Sequence, residues 1–165
     1  VLAIHASART GAALAYRARV GVTGPPRVAV VVQRLVEVDC AGVLFTRDPV
    51  SAADERVIEA SWGLGEAVVS GRVDPDRWRM RRGGQILSRT IGEKDVELRL
   101  GPRGGLEEVL VDTSRRAVPC LSERNLLQLE AVAARCEAHF PGAHDVEWAL
   151  WGDELFLLQR RAVTR

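Results

Sequence analysis

The sequence predicts an α+β fold, a mainly antiparallel sheet with flanking helices, and three observations carry that reading. From residue 77 onward, short stretches of alternating apolar and polar residues recur between glycine-rich breaks, as successive antiparallel strands do. Two other stretches repeat apolar residues at helical spacing. The last 20 or so residues read as a β-hairpin with one apolar face.

Taken in order, Val1 to Ile4 is apolar, but His5 and Arg9 interrupt it too early for a secretory leader. Residues 12–20 place Leu14, Ala15 and Ala18 at helical spacing with Arg17 and Arg19, and Gly21 ends that helix. Thr23-Gly24-Pro25-Pro26 is then a linker. Residues 28–38 are β-branched and almost continuously apolar, which predicts a buried central strand. A second strand covers residues 42–46, broken by Arg47-Asp48-Pro49, and a third covers residues 56–62. Gly63-Leu64-Gly65-Glu66 allows a tight backbone path beside a ligand or a helix start. Residues 77–82, 85–91, 96–100 and 106–111 then read as one antiparallel meander.

The clearest helix opens at Ser122 as its N-cap and buries Leu126, Leu129, Val132, Ala133 and Cys136. His139 suits the negative helix end, and Pro141-Gly142 stops it.

In the closing hairpin, strand residues two apart share a face, so Asp145 points with Glu147 and Gln159 with Arg161. Loop length decides whether the two pairs meet. A three-residue loop, Gly152-Asp153-Glu154, pairs Trp151 with Leu155, Glu147 with Gln159 and Asp145 with Arg161. It also stacks Trp148 on Leu158 and Leu150 on Phe156. The commoner two-residue turn slips the register by one and puts Glu147 and Gln159 on opposite faces. Sorting of apolar from polar residues favours the longer loop. Carboxylates and an amide beside a fixed guanidinium suit a polyphosphate bound with Mg²⁺, which takes oxygen ligands and shares them with phosphate.

Composition narrows the classes. The 165 residues suffice for one domain or a large piece of one, with 47% apolar and 27% charged residues and a net charge of +1. Neither a basic tract for nucleic acid nor an apolar run of membrane-spanning length is present. Cys40, Cys120 and Cys136 are odd in number and widely spaced, as expected of free thiols in the cytoplasm. Lys94 is the only lysine; it reads as a surface lysine in a turn, or as a phosphate-binding point charge. Glu59 and Glu66 are general acid/base candidates whose plainer reading is structural. His5, His139 and His144 lack metal-ligand spacing. A hydrolase built on Asp145 and Glu147 is disfavoured, because a sugar site wants aromatic platforms and Trp148 faces away.

Several segments, in chain order, resemble one family: Val31-Val32-Gln33-Arg34-Leu35-Val36, Ala41 to Pro49, Trp62-Gly63-Leu64-Gly65-Glu66, Gly71 to Asp76, Asp145-Val146-Glu147-Trp148-Ala149 and Leu158-Gln159-Arg160-Arg161. Together they resemble the pyruvate/phosphoenolpyruvate-binding, ATP-grasp-type domain of phosphoenolpyruvate synthase and pyruvate phosphate dikinase, which rifampicin phosphotransferase also carries. The resemblance implies that residues 1–165 are the C-terminal part of that domain, with its N-terminal subdomain and the phosphohistidine domain absent. It implies an ATP-dependent phosphotransferase of the dikinase type, passing a phosphoryl group through an enzyme histidine to pyruvate or, in the antibiotic-modifying type, to a drug hydroxyl. The isolated chain is then expected to be inactive.

Carried over by position, Gln33, Arg34, Leu35 and Val36 resemble the hinge that reads the adenine edge. Glu147 and Gln159 match the Mg²⁺- and phosphate-facing pair, Asp145 a neighbouring acid, and Arg161 the arginine that neutralises the transferred group. The chain departs from the family at Arg160-Arg161-Ala162, where Ala-Arg-Pro is usual, and at Arg34-Leu35, where Lys-Met or Gln-Met is usual. The competing reading is a non-catalytic nucleotide-binding module.

Overall fold

A computed structural model describes residues 1–163. The chain divides into two units, Val1–Val36 and Glu37–Arg165. The first holds α1 (Leu2–Ser7) and α2 (Gly11–Arg19). Thr10 caps α2 by accepting a hydrogen bond from the Ala13 amide. The strand expected over residues 28–38 is not formed: the segment pairs with no strand among the described residues, and Val31 and Val32 are 82% and 85% exposed. β-branched residues favour extended backbone, but a strand also needs a neighbour for its amides and carbonyls.

The second unit is built on a six-stranded antiparallel sheet of order β4-β3-β2-β1-β7-β8. Its strands are β1 (Cys40–Phe45), β2 (Arg56–Trp62), β3 (Asp76–Met80), β4 (Ile86–Thr90), β7 (His144–Trp151) and β8 (Glu154–Ala162). A separate hairpin pairs β5 (Val96–Leu100) with β6 (Leu106–Leu110). The expected single meander is thus two structures: β3 and β4 extend the main sheet, while β5 crosses to meet Gly63 in a parallel bridge with Leu98. Short helices α3 (Glu66–Val69) and α4 (Thr113–Arg116) fall in connections, and the long helix is α5 (Glu123–His139).

Alternation splits the sheet into two faces. Cys40, Leu44, Ile58, Ala60, Trp78, Met80, Val146, Trp148 and Leu150 point to one side and form the main core with Leu126, Leu129, Ala133 and Cys136 of α5. A capping box holds the start of α5: Ser122 accepts from the Asn125 amide and the Asn125 side chain accepts from the Ser122 amide, a cap of about 1 kcal/mol. Against the other face, Gly65 packs on Ala41, and α3 and β5 enclose Ala67, Val73 and Leu98. The rest of that face mixes Val43, Phe45 and Val57 with charged side chains such as Glu59, Asp145 and Glu147.

Two ion clusters fix the edges. Arg56, 1% exposed, donates to Glu130, Glu137 and the Thr46 carbonyl, tying β2 to α5. Lys94 is neither a surface lysine nor a phosphate ligand. Its ammonium is fully buried, 2.5 Å from Asp76 and 2.9 Å from the Gly92 carbonyl, while Asp76 also accepts from the Gly92 and Cys120 amides. This closed network predicts that an amine-reactive label modifies the α-amino group of the native chain and leaves Lys94 unmodified until denaturant is added. Mass spectrometry of the labelled peptides checks it; labelling of Lys94 in the native chain would contradict the burial.

Candidate functional site

The candidate site lies on the charged face, where β1, β7 and β8 run side by side. The hairpin reaches the expected pairing by an unexpected route. Trp151 pairs with Glu154, so the turn is the two-residue Gly152-Asp153, with Gly152 at φ +57° and its amide donating to Asp39 at 2.6 Å. Along the strands the register then shifts: Trp148 pairs with Leu157, Glu147 with Gln159, and Leu158 is left over as a β-bulge. The extra residue undoes the slip that the short turn imposes. Asp145 therefore does lie opposite Arg161, and Glu147 opposite Gln159. The apolar partners differ from expectation, since Trp148 lies opposite Leu157 and Leu150 opposite Leu155.

Arg161 closes the group. Its Nη2 lies 2.7 Å from Glu147 Oε1 and 3.0 Å from Asp145 Oδ2, so one nitrogen spans both acids. The three side chains are 53%, 27% and 21% exposed, open to a ligand yet anchored on the sheet. Asp145 Oδ1 is buried and has no hydrogen-bond partner among the described residues. An orphaned carboxylate oxygen of this kind is costly unless something donates to it or coordinates it.

Alternation on β1 sets two apolar side chains beside the acids on the same face. Val43 lies between Glu147 and Glu59, and Phe45 lies between Asp145 and Val57. Sequence reasoning missed these neighbours, although the period of two in Ala41, Val43 and Phe45 contains them once β1 is known to sit beside β7. Glu59 falls on the same face but is held by Arg77, at 2.7 Å from Nε and 2.5 Å from Nη2, which favours the structural reading. Glu66 is an exposed residue in the first turn of α3. His144 is buried, its amide donating to Thr46 Oγ1 and its ring beside Arg160 and the Phe140 carbonyl.

The donor set is all oxygen: two carboxylates and an amide carbonyl. That set suits a hard divalent cation such as Mg²⁺, and the orphaned Asp145 oxygen agrees. Among the described residues no three His, Cys, Asp or Glu side chains converge, so Gln159 is the third donor on offer. Asp145, Glu147, Gln159 and Arg161 are brought together within the second unit. Gln33, Arg34, Leu35 and Val36 belong to the first.

Comparison with known proteins gives the group a family. Residues 1–165 match the pyruvate phosphate dikinase, AMP/ATP-binding domain. A rifampicin phosphotransferase of Streptomyces sviceus is 39% identical over 161 residues, covering 96% of this chain and 18% of that protein. A probable phosphoenolpyruvate synthase of Methanothermobacter thermautotrophicus is 39% identical over 139 residues, covering 83% of this chain and 20% of that protein. The phosphoenolpyruvate synthase of Pyrococcus furiosus is 34% identical over 170 residues, covering 96% and 21%. The chain thus spans about a fifth of the length of these relatives. It belongs to the pyruvate phosphate dikinase AMP/ATP-binding domain family, the ATP-binding part of phosphotransferases that include phosphoenolpyruvate synthase and rifampicin phosphotransferase.

Proposed function

We propose that this chain is the ATP- and Mg²⁺-binding portion, of ATP-grasp type, of a cytoplasmic phosphotransferase that moves a phosphoryl group from ATP through an enzyme histidine to pyruvate. The observation that carries the reading is the bulged hairpin, which sets Asp145, Glu147, Gln159 and Arg161 on one face in a chain of an ATP-binding family.

Glu147, Gln159 and Asp145 hold the cation, and Arg161 supplies positive charge beside them. Bound Mg²⁺ would screen the phosphates and polarise the transferred group. Val43 and Phe45 flank the acids on the neighbouring strand, and an apolar neighbour strengthens a charge interaction beside it. Gln33, Arg34, Leu35 and Val36 present backbone groups to the adenine edge. In such chemistry the protein contributes positioning and electrostatics rather than a nucleophile of its own at this site.

A drug hydroxyl is the second reading of the acceptor. It is favoured by the 39% and 40% identity of two Streptomyces rifampicin phosphotransferases over 96% of the chain. The test is to incubate the protein that carries this chain with γ- and β-labelled ATP, Mg²⁺ and either pyruvate or rifampicin. Label on pyruvate supports the first reading and label on rifampicin the second. Label on neither acceptor, with no phosphohistidine formed, would leave a non-catalytic nucleotide-binding module.

A further inference from the structure

One guanidinium serves two carboxylates in this site, and the imbalance has a consequence for what can bind. Arg161 Nη2 contacts both Glu147 and Asp145, which are its partners among the described residues. The other guanidiniums on the same face are engaged elsewhere, Arg77 by Glu59 and Arg79 by Glu55 and Asp48. Neither can take over if Arg161 leaves. The side chain is more than half exposed and long, so it can move without unpacking the core. Arg161 leaves Asp145 Oδ1 without a hydrogen-bond partner among the described residues.

Resting on the phosphotransferase reading above, we propose that Arg161 is a displaceable counter-ion that makes the site select the cation–nucleotide complex over either component alone. The guanidinium stands between the two acids, where a divalent cation would have to sit, so a free cation must compete with a resident charge. Free nucleotide meets two acids against one arginine, a cluster with excess negative charge. Only the complex resolves both conflicts. Its phosphates offer Arg161 a partner that matches the planar guanidinium better than a single shared nitrogen does. Asp145 and Glu147 are then released to face the cation. Arg161 thus sets substrate form as well as charge, and the two roles exchange within one movement.

The probe is Mn²⁺ alone, followed by electron paramagnetic resonance on the 165-residue chain without nucleotide. R161Q should bind Mn²⁺ at least ~10-fold more tightly than the unaltered chain, and R161Q/E147Q should lose that gain. Added Mn²⁺ should also raise the melting temperature of R161Q while leaving the unaltered chain unmoved. Circular dichroism establishes that both variants fold. Should R161Q, folded, bind Mn²⁺ no better than the parent, the counter-ion role is overturned. A separate titration of Mn²⁺ with a non-hydrolysable ATP analogue, comparing E147Q with the unaltered residue in the whole protein, tests the underlying reading. Equal binding there would remove the quartet from the nucleotide site whatever the metal-only result.

Discussion

Changing Glu147 to glutamine is expected to lower phosphoryl transfer from ATP by on the order of 10²-fold or more in the protein that carries this chain, with the fold intact. The substitution keeps shape and removes one charge. Glu147 projects from β7, itself paired on both edges, so the backbone that presents it is held by β1 and β8. Its side chain is about a quarter exposed and needs no partner for stability beyond Arg161, which keeps Asp145 at 3.0 Å. On the proposed reading the change removes a carboxylate that would face the cation and, through it, hold the phosphates in line for transfer. Steady-state turnover at saturating ATP, with a melting curve as the control, reads both quantities. Turnover within two-fold of the parent would take Glu147 out of the metal site.

The largest effect on stability is expected at Arg56. Replacing it with Met should destabilise the chain by about 3–5 kcal/mol, because breaking a buried ion pair from one side leaves the partner charges uncompensated. Arg56 is almost wholly buried; its Nε donates to Glu130, its Nη1 to Glu137 and the Thr46 carbonyl, and its Nη2 to both glutamates. Met fills the volume but supplies no donor. Glu137 keeps Arg82, which also binds Asp54, whereas Glu130 is left with the Gly83 amide.

The same cluster sets an acid limb. Burial raises the Glu137 carboxyl, but hydrogen bonds from Arg56 and Arg82 overcome this and hold it below the ordinary carboxylate range. A depressed folded-state value means stability that is fully present above the unfolded value, near ~4.3. That stability is lost as pH falls through the folded value. The gap between parent and Arg56→Met should therefore be widest near neutral pH and shrink below about pH 4. Urea unfolding at several pH values measures it. A gap that stays constant into acid would assign the loss to packing rather than to charge.

Residues 56–62 form a strand with those bounds, and Ser122 caps the long helix as its spacing indicates, because both signals are local. The pairing of Glu147 with Gln159 and Asp145 with Arg161 came out as expected although the turn did not. Sorting of side chains constrains the final register, while the route to it has more than one solution: a longer loop, or a short turn with a bulge at Leu158. Lys94 was misjudged because its partner, Asp76, is 18 residues away, and nothing in the intervening sequence marks a buried pair.

By itself the sequence determined the strand over residues 56–62, the ends of the helix that Ser122 caps and the membership of four polar residues in one hairpin. Those follow from backbone geometry and from neighbours a few positions apart. Only the tertiary structure decided that residues 28–38 pair with no strand among the described residues, that β5 and β6 form a sheet of their own, and that one nitrogen of Arg161 bridges two acids. Each of these depends on which distant segment satisfies a backbone amide or a charge. That choice is made by hydrogen bonding and desolvation across the fold, and no local pattern records it.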